Sequence, residues 1–237
     1  MSIIERLESI QNNAQIARDD GNLRDDLGKV ERATERISTL TRLLNKICIA
    51  FNELDTVCPD QCSLVLPDLQ SIESELVLLV EHAKIVQHAG ARQEFATHIS
   101  SVEKTAKAIE KSFSVSWKSY RSEHPRPSID RDLLQVFNRA GLRVDHLLET
   151  YDDAQMKLLL LEDFALPASG AVAEFSRCIQ SLVSVSLGLA DVVPTSIAEF
   201  FRQAYTPQGA PLLAFTEEVR IFLEEHQISS RYSIRGL

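Results

Sequence analysis

The first residues to weigh for chemistry are Cys58 and Cys62, in the run Cys58-Pro59-Asp60-Gln61-Cys62, whose spacing occurs in metal sites. A structural zinc site needs four ligands, and no second Cys/His pair lies nearby in sequence. His82 and His88, six residues apart, do not share a helix face. Two free thiols in a loop is the reading that follows. The stretch from Gly21 to Lys29 has the outline of a phosphate-binding loop. Six residues rather than four separate its glycines, however, and Val30 stands where Ser or Thr would hold magnesium. It reads as a helix start. The acidic pairs Asp19/Asp20, Asp25/Asp26, Asp152/Asp153 and Glu162/Asp163 are neighbours in sequence, so on a helix they diverge. General acid–base work needs carboxylates that converge on a pocket. The histidines are dispersed, with no Ser/His/Asp or HExxH arrangement. The sequence thus points to no catalytic residue, no metal and no cofactor.

Two groups suit binding better than catalysis. Lys104, Lys107, Lys111, Lys118 and Arg121 recur at helical spacing, and such a stripe can meet an acidic partner. Glu103 and Glu110 flank it, which lowers its net charge and argues against nucleic acid. Phe200, Phe201 and Tyr205, with Phe215 and Phe222, form an aromatic group near the C-terminus. Its first use is the core of that region; any exposed part is a docking patch, because aromatics concentrate at interface hot spots.

Long helices must position these groups. Val30, Ala33, Ile37, Leu40, Leu44, Ile47, Phe51 and Leu54 alternate at three and four, the a/d pattern of a heptad. A second seam runs Leu69, Ile72, Leu76, Leu79, Ala83, Val86, after Pro67 at a first helical position. A third runs Phe95, Ile99, Val102, Ala106, Ile109, Phe113. The fourth, from Leu133 through Phe137, Ala140, Val144, Leu147, Tyr151, Ala154 and Leu158 to Leu161, follows Ser128 as N-cap. These predict helices over about 22–57, 67–89, 91–121 and 128–163. Residues flanking the first seam (Thr34, Thr41, Leu43, Cys48, Ala50) are mostly uncharged, so the stripe is wider than a two-stranded coiled coil requires.

The expected fold is therefore all-α: a long-helix antiparallel bundle of coiled-coil hairpins over 22–164, preceded by a separate N-terminal helix over 1–20. A compact helical module over 165–237 follows, where Pro194, Pro207 and Pro211 shorten the elements. Net charge is −9, and no part of the chain is basic overall, which argues against nucleic acid as the partner. The start MSIIERLESI has acids and no apolar core, and the uncharged run Cys178–Ala190 falls short of the about 20 residues that span a bilayer. These features suggest a cytoplasmic chain with no membrane segment. Four scattered cysteines build no disulfide framework. The expected function is a non-catalytic helical scaffold or accessory subunit, bound to protein partners in a larger assembly and open to self-association. The alternative is a ligand sensor or enzyme with a pocket between bundle helices.

Overall fold

A helix of some thirty residues with one apolar stripe is unstable alone in water and needs neighbours that bury the stripe. The computed structural model describes residues 24–85, 93–206 and 208–231, and among these there are eight α-helices and no strand. The fold is all-α. The expected N-terminal helix over 1–20 and the link around Gly90 lie outside the described residues.

Two compact units divide the chain. The first holds α1 (Arg24–Asp55), α2 (Pro59–Ile85) and α3 (Gln93–Glu123), with Phe164–Ala171. Ala33 and Ile37 of α1 cluster with Leu79 of α2 and with Phe95 and Ile99 of α3. Toward the other end, Phe51 meets Phe113, and the Cys62 thiol donates to the Phe51 carbonyl at 3.9 Å. Hence α1 and α3 run parallel and α2 runs antiparallel to both. The buried stripes are the predicted seams: Val30, Ala33, Ile37, Leu40, Ile47 and Leu54 on α1, and Phe95 through Phe113 on α3. Each fully buried Leu, Ile or Phe contributes roughly 1.5–3 kcal/mol, which is what holds the three helices together. Gly170 N–H donates to the Glu53 carboxylate at 2.7 Å and ties the 164–171 segment to the end of α1.

The second predicted helix needs correction. It begins at Pro59 rather than Pro67, and Pro67 sits inside α2. Only Thr56, Val57 and Cys58 separate α1 from α2, and Gln61 and Cys62 N–H groups already bond back to the Cys58 carbonyl. Cys62 and Val65 are buried, so the seam extends backward as 62, 65, 69, 72 in the same heptad register. Proline inside a helix costs about 3 kcal/mol. Burial of two more seam residues, with an exposed ring at Pro67, offsets it. The cysteines expected in a loop therefore lie at the start of a helix, Cys62 in the core.

The second unit comprises His124–Asp163 and the residues from Val172 onward. The predicted fourth helix thus groups with the C-terminal module and not with the bundle, and it is two helices: α4 (Arg131–Ala140) and α5 (Asp145–Glu162). Gly141 breaks them in the left-handed conformation, φ 95°, with Leu142 N–H returning to the Phe137 carbonyl. The inward residues keep the predicted spacing, since Leu133, Phe137, Ala140, Val144, Leu147, Ala154 and Leu158 are all buried. Asp130, not Ser128, caps α4, accepting from Leu133 N–H at 3.1 Å. Next come α6 (Ala171–Val192), α7 (Thr195–Ala204), a 3₁₀ turn at Leu212–Ala214, α8 (Glu217–Glu225) and a 3₁₀ turn at Ser229–Arg231. Gly188 lets α6 approach α5, because a Cβ there would stand 3.2 Å from Leu147 Cδ2. Thr216 caps α8 as its sequence implies, accepting from Val219 N–H at 3.3 Å.

No single helix among the described residues is long and apolar enough to cross a membrane. Helices α6 and α7 reach that apolarity only together, across an 89° bend. Their apolar residues Phe175, Leu182, Val185, Ile197 and Phe201 are buried in the protein.

Two substitutions test these local conflicts. Pro67→Ala restores a helix donor and is expected to raise the unfolding free energy by about 1–2 kcal/mol, net of the lost chain restriction. Gly141→Ala forces a Cβ into left-handed backbone and is expected to lower it by about 1 kcal/mol. Denaturant unfolding followed by circular dichroism reads both; an unchanged midpoint in either case contradicts the corresponding backbone assignment.

Candidate partner-docking surfaces

The basic stripe stands on α3, and its five members do not share one environment. Lys104, Lys107, Lys111 and Lys118 are exposed. Arg121 is half-buried, its guanidinium 5.2 Å from the centre of the Trp117 ring, which is itself fully buried and stacks on Tyr120. That arginine is fixed against its own bundle by cation–π attraction. The four lysines are the part of the stripe that faces outward.

Glu103, which flanks the stripe in sequence, does not neutralise it. Arg36 on α1 holds both its oxygens, Nε to Oε1 and Nη2 to Oε2 at 3.0 Å each, and Arg36 Nη2 also donates to Ser100 Oγ at 2.9 Å. This bidentate pair bridges α1 and α3. Hydrogen bonding to Arg36 holds the Glu103 carboxyl below the usual range, with the charges of Arg36 and Lys107 adding to the effect and partial burial opposing it. Among the described residues, Lys104, Lys111 and Lys118 make no ion pair. The arginines behave differently: Arg126, Arg131, Arg177, Arg202 and Arg220 each pair with a carboxylate.

Beside this row lies an open groove of about 510 Å³ between the start of α2 and the second half of α3. Cys58 and Gln61 form one wall; Ala108, Lys111, Ser112, Val115, Ser116, Ser119, Tyr120 and Glu123 form the floor and the other. Val115 is 62% exposed within it. Ser116 is buried, its hydroxyl donating to the Ser112 carbonyl at 3.1 Å, so the floor is closed by a satisfied polar group. Burial raises the Cys58 thiol above its usual value and pushes Cys62 up to about 11, the Asp55 charge adding to the latter. Neither is poised as a thiolate nucleophile at neutral pH. No group of three metal-ligating side chains converges among the described residues.

The aromatic candidates divide. Phe201 is fully buried and Phe200 nearly so, which corrects their selection as docking residues. Phe201 lies at the centre of the second unit's core, 5.3 Å from Phe137, 5.6 Å from Phe200 and 6.3 Å from Phe222. Their helix spacing and flanking apolar residues are those of a core stripe, and the core took them. Tyr205 alone of the three is at the surface, 40% exposed.

Residues outside the docking candidates are more exposed still. Met156, Leu159 and Leu160 stand outward on α5, and Leu187 on α6. Within the run Leu158 to Leu161, helical periodicity sends 158 and 161 inward, so the outward pair was legible in principle. Leu212 and Leu213 project from the 3₁₀ turn, Leu213 94% exposed. No family model, characterised protein or solved structure matches this chain.

The Arg36–Glu103 pair has a pH signature. Since the Glu103 carboxyl titrates below its unfolded value, the pair's stabilisation is complete above about pH 5 and is lost as pH falls through the lowered folded value. Glu103→Gln is expected to cost about 1 kcal/mol at pH 7 and progressively less as pH falls below about 4. Denaturation of both proteins across this range measures this; a pH-independent difference would assign the loss to packing instead of charge.

Proposed function

We propose that this chain is a non-catalytic helical scaffold or accessory subunit that works in the cytoplasm by holding protein partners within a larger assembly. The observation that carries the reading is the leucine pair on the 3₁₀ turn of the second unit. Pro211 enters the turn at φ −59°, and the Ala214 and Phe215 N–H groups bond back to the Pro211 and Leu212 carbonyls at 2.9 and 3.1 Å. The Phe215 ring packs against Phe200 at 5.9 Å, which fixes the turn to the core. A braced turn thus holds Leu212 and Leu213 in water, where neither supports the fold. Large apolar side chains presented on rigid backbone suit a docking anchor, since little conformational entropy is lost on burying them.

Met156, Leu159 and Leu160 add a second apolar strip on α5. The acidic balance of the chain favours protein over nucleic acid as partner. A ligand sensor or enzyme would use the groove beside Cys58 and Ser116. That groove is half open to solvent, unlike the enclosed apolar sites that bury most of a small ligand.

The test is affinity purification of the tagged chain from its native host at mild salt, with mass spectrometry and light scattering on the eluate. A stoichiometric protein partner is the expected result. Leu213→Asp is expected to weaken that capture at least tenfold while changing stability by less than about 0.5 kcal/mol. A chain that elutes alone would overturn the reading. So would full retention of the partner by the Leu213 variant together with a Met156/Leu159/Leu160 triple aspartate variant.

A further inference from the structure

We infer that the outer face of α3 is a docking groove for an acidic amphipathic helix of a partner chain, which packs beside α2 and α3 as a fourth bundle helix. The inference rests on the scaffold reading and adds to it a further docking surface, in the first unit, with the chemistry that surface takes. Three observations converge on it. Along α3 the outward positions Ser101, Thr105, Ala108, Ser112, Val115, Ser119 and Ser122 alternate at four and three, a heptad seam made of small, uncharged residues. The groove follows the second half of this seam from Ala108 to Glu123, about 22 Å of helix at 1.5 Å per residue, or roughly four turns. Lys104, Lys111 and Lys118 recur every seven residues beside the seam, exposed and without an ion pair among the described residues, and Lys111 lines the groove itself.

Each observation constrains the occupant. A groove of helical length, floored by alanine and serine, admits a helix at close approach, with Val115 as the knob that enters the guest's surface. Lysines at strict heptad spacing lie where a coiled-coil helix carries its flanking charges, and their complement is a row of carboxylates at the same interval. Of the nearby acids, Glu103 is engaged by Arg36; Glu110 is half-buried on the α3 row between the lysines and the bundle, and Glu123 lies at the far end. The row is therefore left with net positive charge in a chain of net charge −9. The chain's own N-terminal seam (Ile3, Leu7, Ile10, Ala14, Ala17) is a poor match, since Arg6, Asn13 and Arg18 flank it as well as Asp20. Nucleic acid fits less well, because the row is one lysine wide and lacks an arginine fork or stacking ring.

The experiment uses the full chain and two synthetic peptides of about 21 residues, each of three heptads with leucine and alanine inward. One carries glutamate at both flanking positions, the other lysine. By calorimetry the glutamate peptide is expected to bind and the lysine peptide to show no heat. Lys104→Glu/Lys111→Glu/Lys118→Glu is expected to weaken binding at least tenfold with an unchanged thermal midpoint, and Ser112→Trp to block it by filling the groove. Neither peptide binding, both binding alike, or the triple variant binding as tightly as wild type would overturn the inference. Binding that appears only after deletion of residues 1–20 would assign the groove to the chain's own segment, and tighter lysine-dependent binding of an RNA duplex would assign it to nucleic acid; either also overturns it. If the triple variant still captures the native partner in full, this face is not that partner's site while the scaffold reading stands; a chain with no partner removes the scaffold reading itself.

Discussion

The fold of the first unit depends on one constraint: helices of 32, 27 and 31 residues carry apolar stripes too wide for a single neighbour. A two-stranded coiled coil covers only the a and d positions, and charge then returns at the flanks. Here the flank Ala50 is buried beside the seam residues Ile47 and Leu54, and on α3 Trp117 lies buried beside Phe113 and Tyr120. Each helix must therefore contact two others, and a three-helix arrangement with α2 reversed is the simplest that does so. The Arg36–Glu103 bridge and the Phe51–Phe113 contact then pin α1 and α3 in parallel register at two depths. Polar pairing refines an alignment that apolar burial has set.

Seam residues were legible because burial follows period, and period survives local defects. Among the described residues, those assigned to the four inward stripes are buried or half-buried, including those of the fourth seam on either side of the break at Gly141. Helix ends were less legible. Pro67 reads as a start signal in isolation, and only the burial of Cys62 and Val65 shows that the helix begins a full two turns earlier. Gly141 carried the opposite ambiguity. A glycine inside a heptad run is tolerated at about 1 kcal/mol, so the run alone does not distinguish passage from termination. What decided it is the left-handed backbone that lets Leu142 N–H reach the Phe137 carbonyl.

Surface features divide along the same line. The lysine row was legible since charge and spacing are written directly in the sequence, and its four lysines do face outward. Phe200 and Phe201 were ambiguous because aromatic residues serve cores and hot spots alike; only the ring packing around Phe201 resolves them. The small-residue seam on α3 was invisible to a search for apolar periodicity, since serine and threonine give no such signal. It is seen once the opposite face is known to be buried and the groove beside Cys58 is located.

That α3 has two heptad faces separates it from its neighbours. Its inner face, Phe95 to Tyr120, is bulky and buried; its outer seam is Ser, Thr and Ala around Val115, edged by the exposed lysines. Solvent exposure alone does not select such a surface, because exposed helix positions ordinarily carry Glu, Lys, Gln and Arg, which favour both solubility and helix formation. Serine and threonine are poorer helix formers, and on this seam the Ser122 hydroxyl bonds back to the Ser119 carbonyl while Ser119 donates to the Glu123 carboxylate. A helix that accepts this local cost along its outer face, while keeping lysines at every seventh position beside it, has a surface shaped for close contact rather than for water.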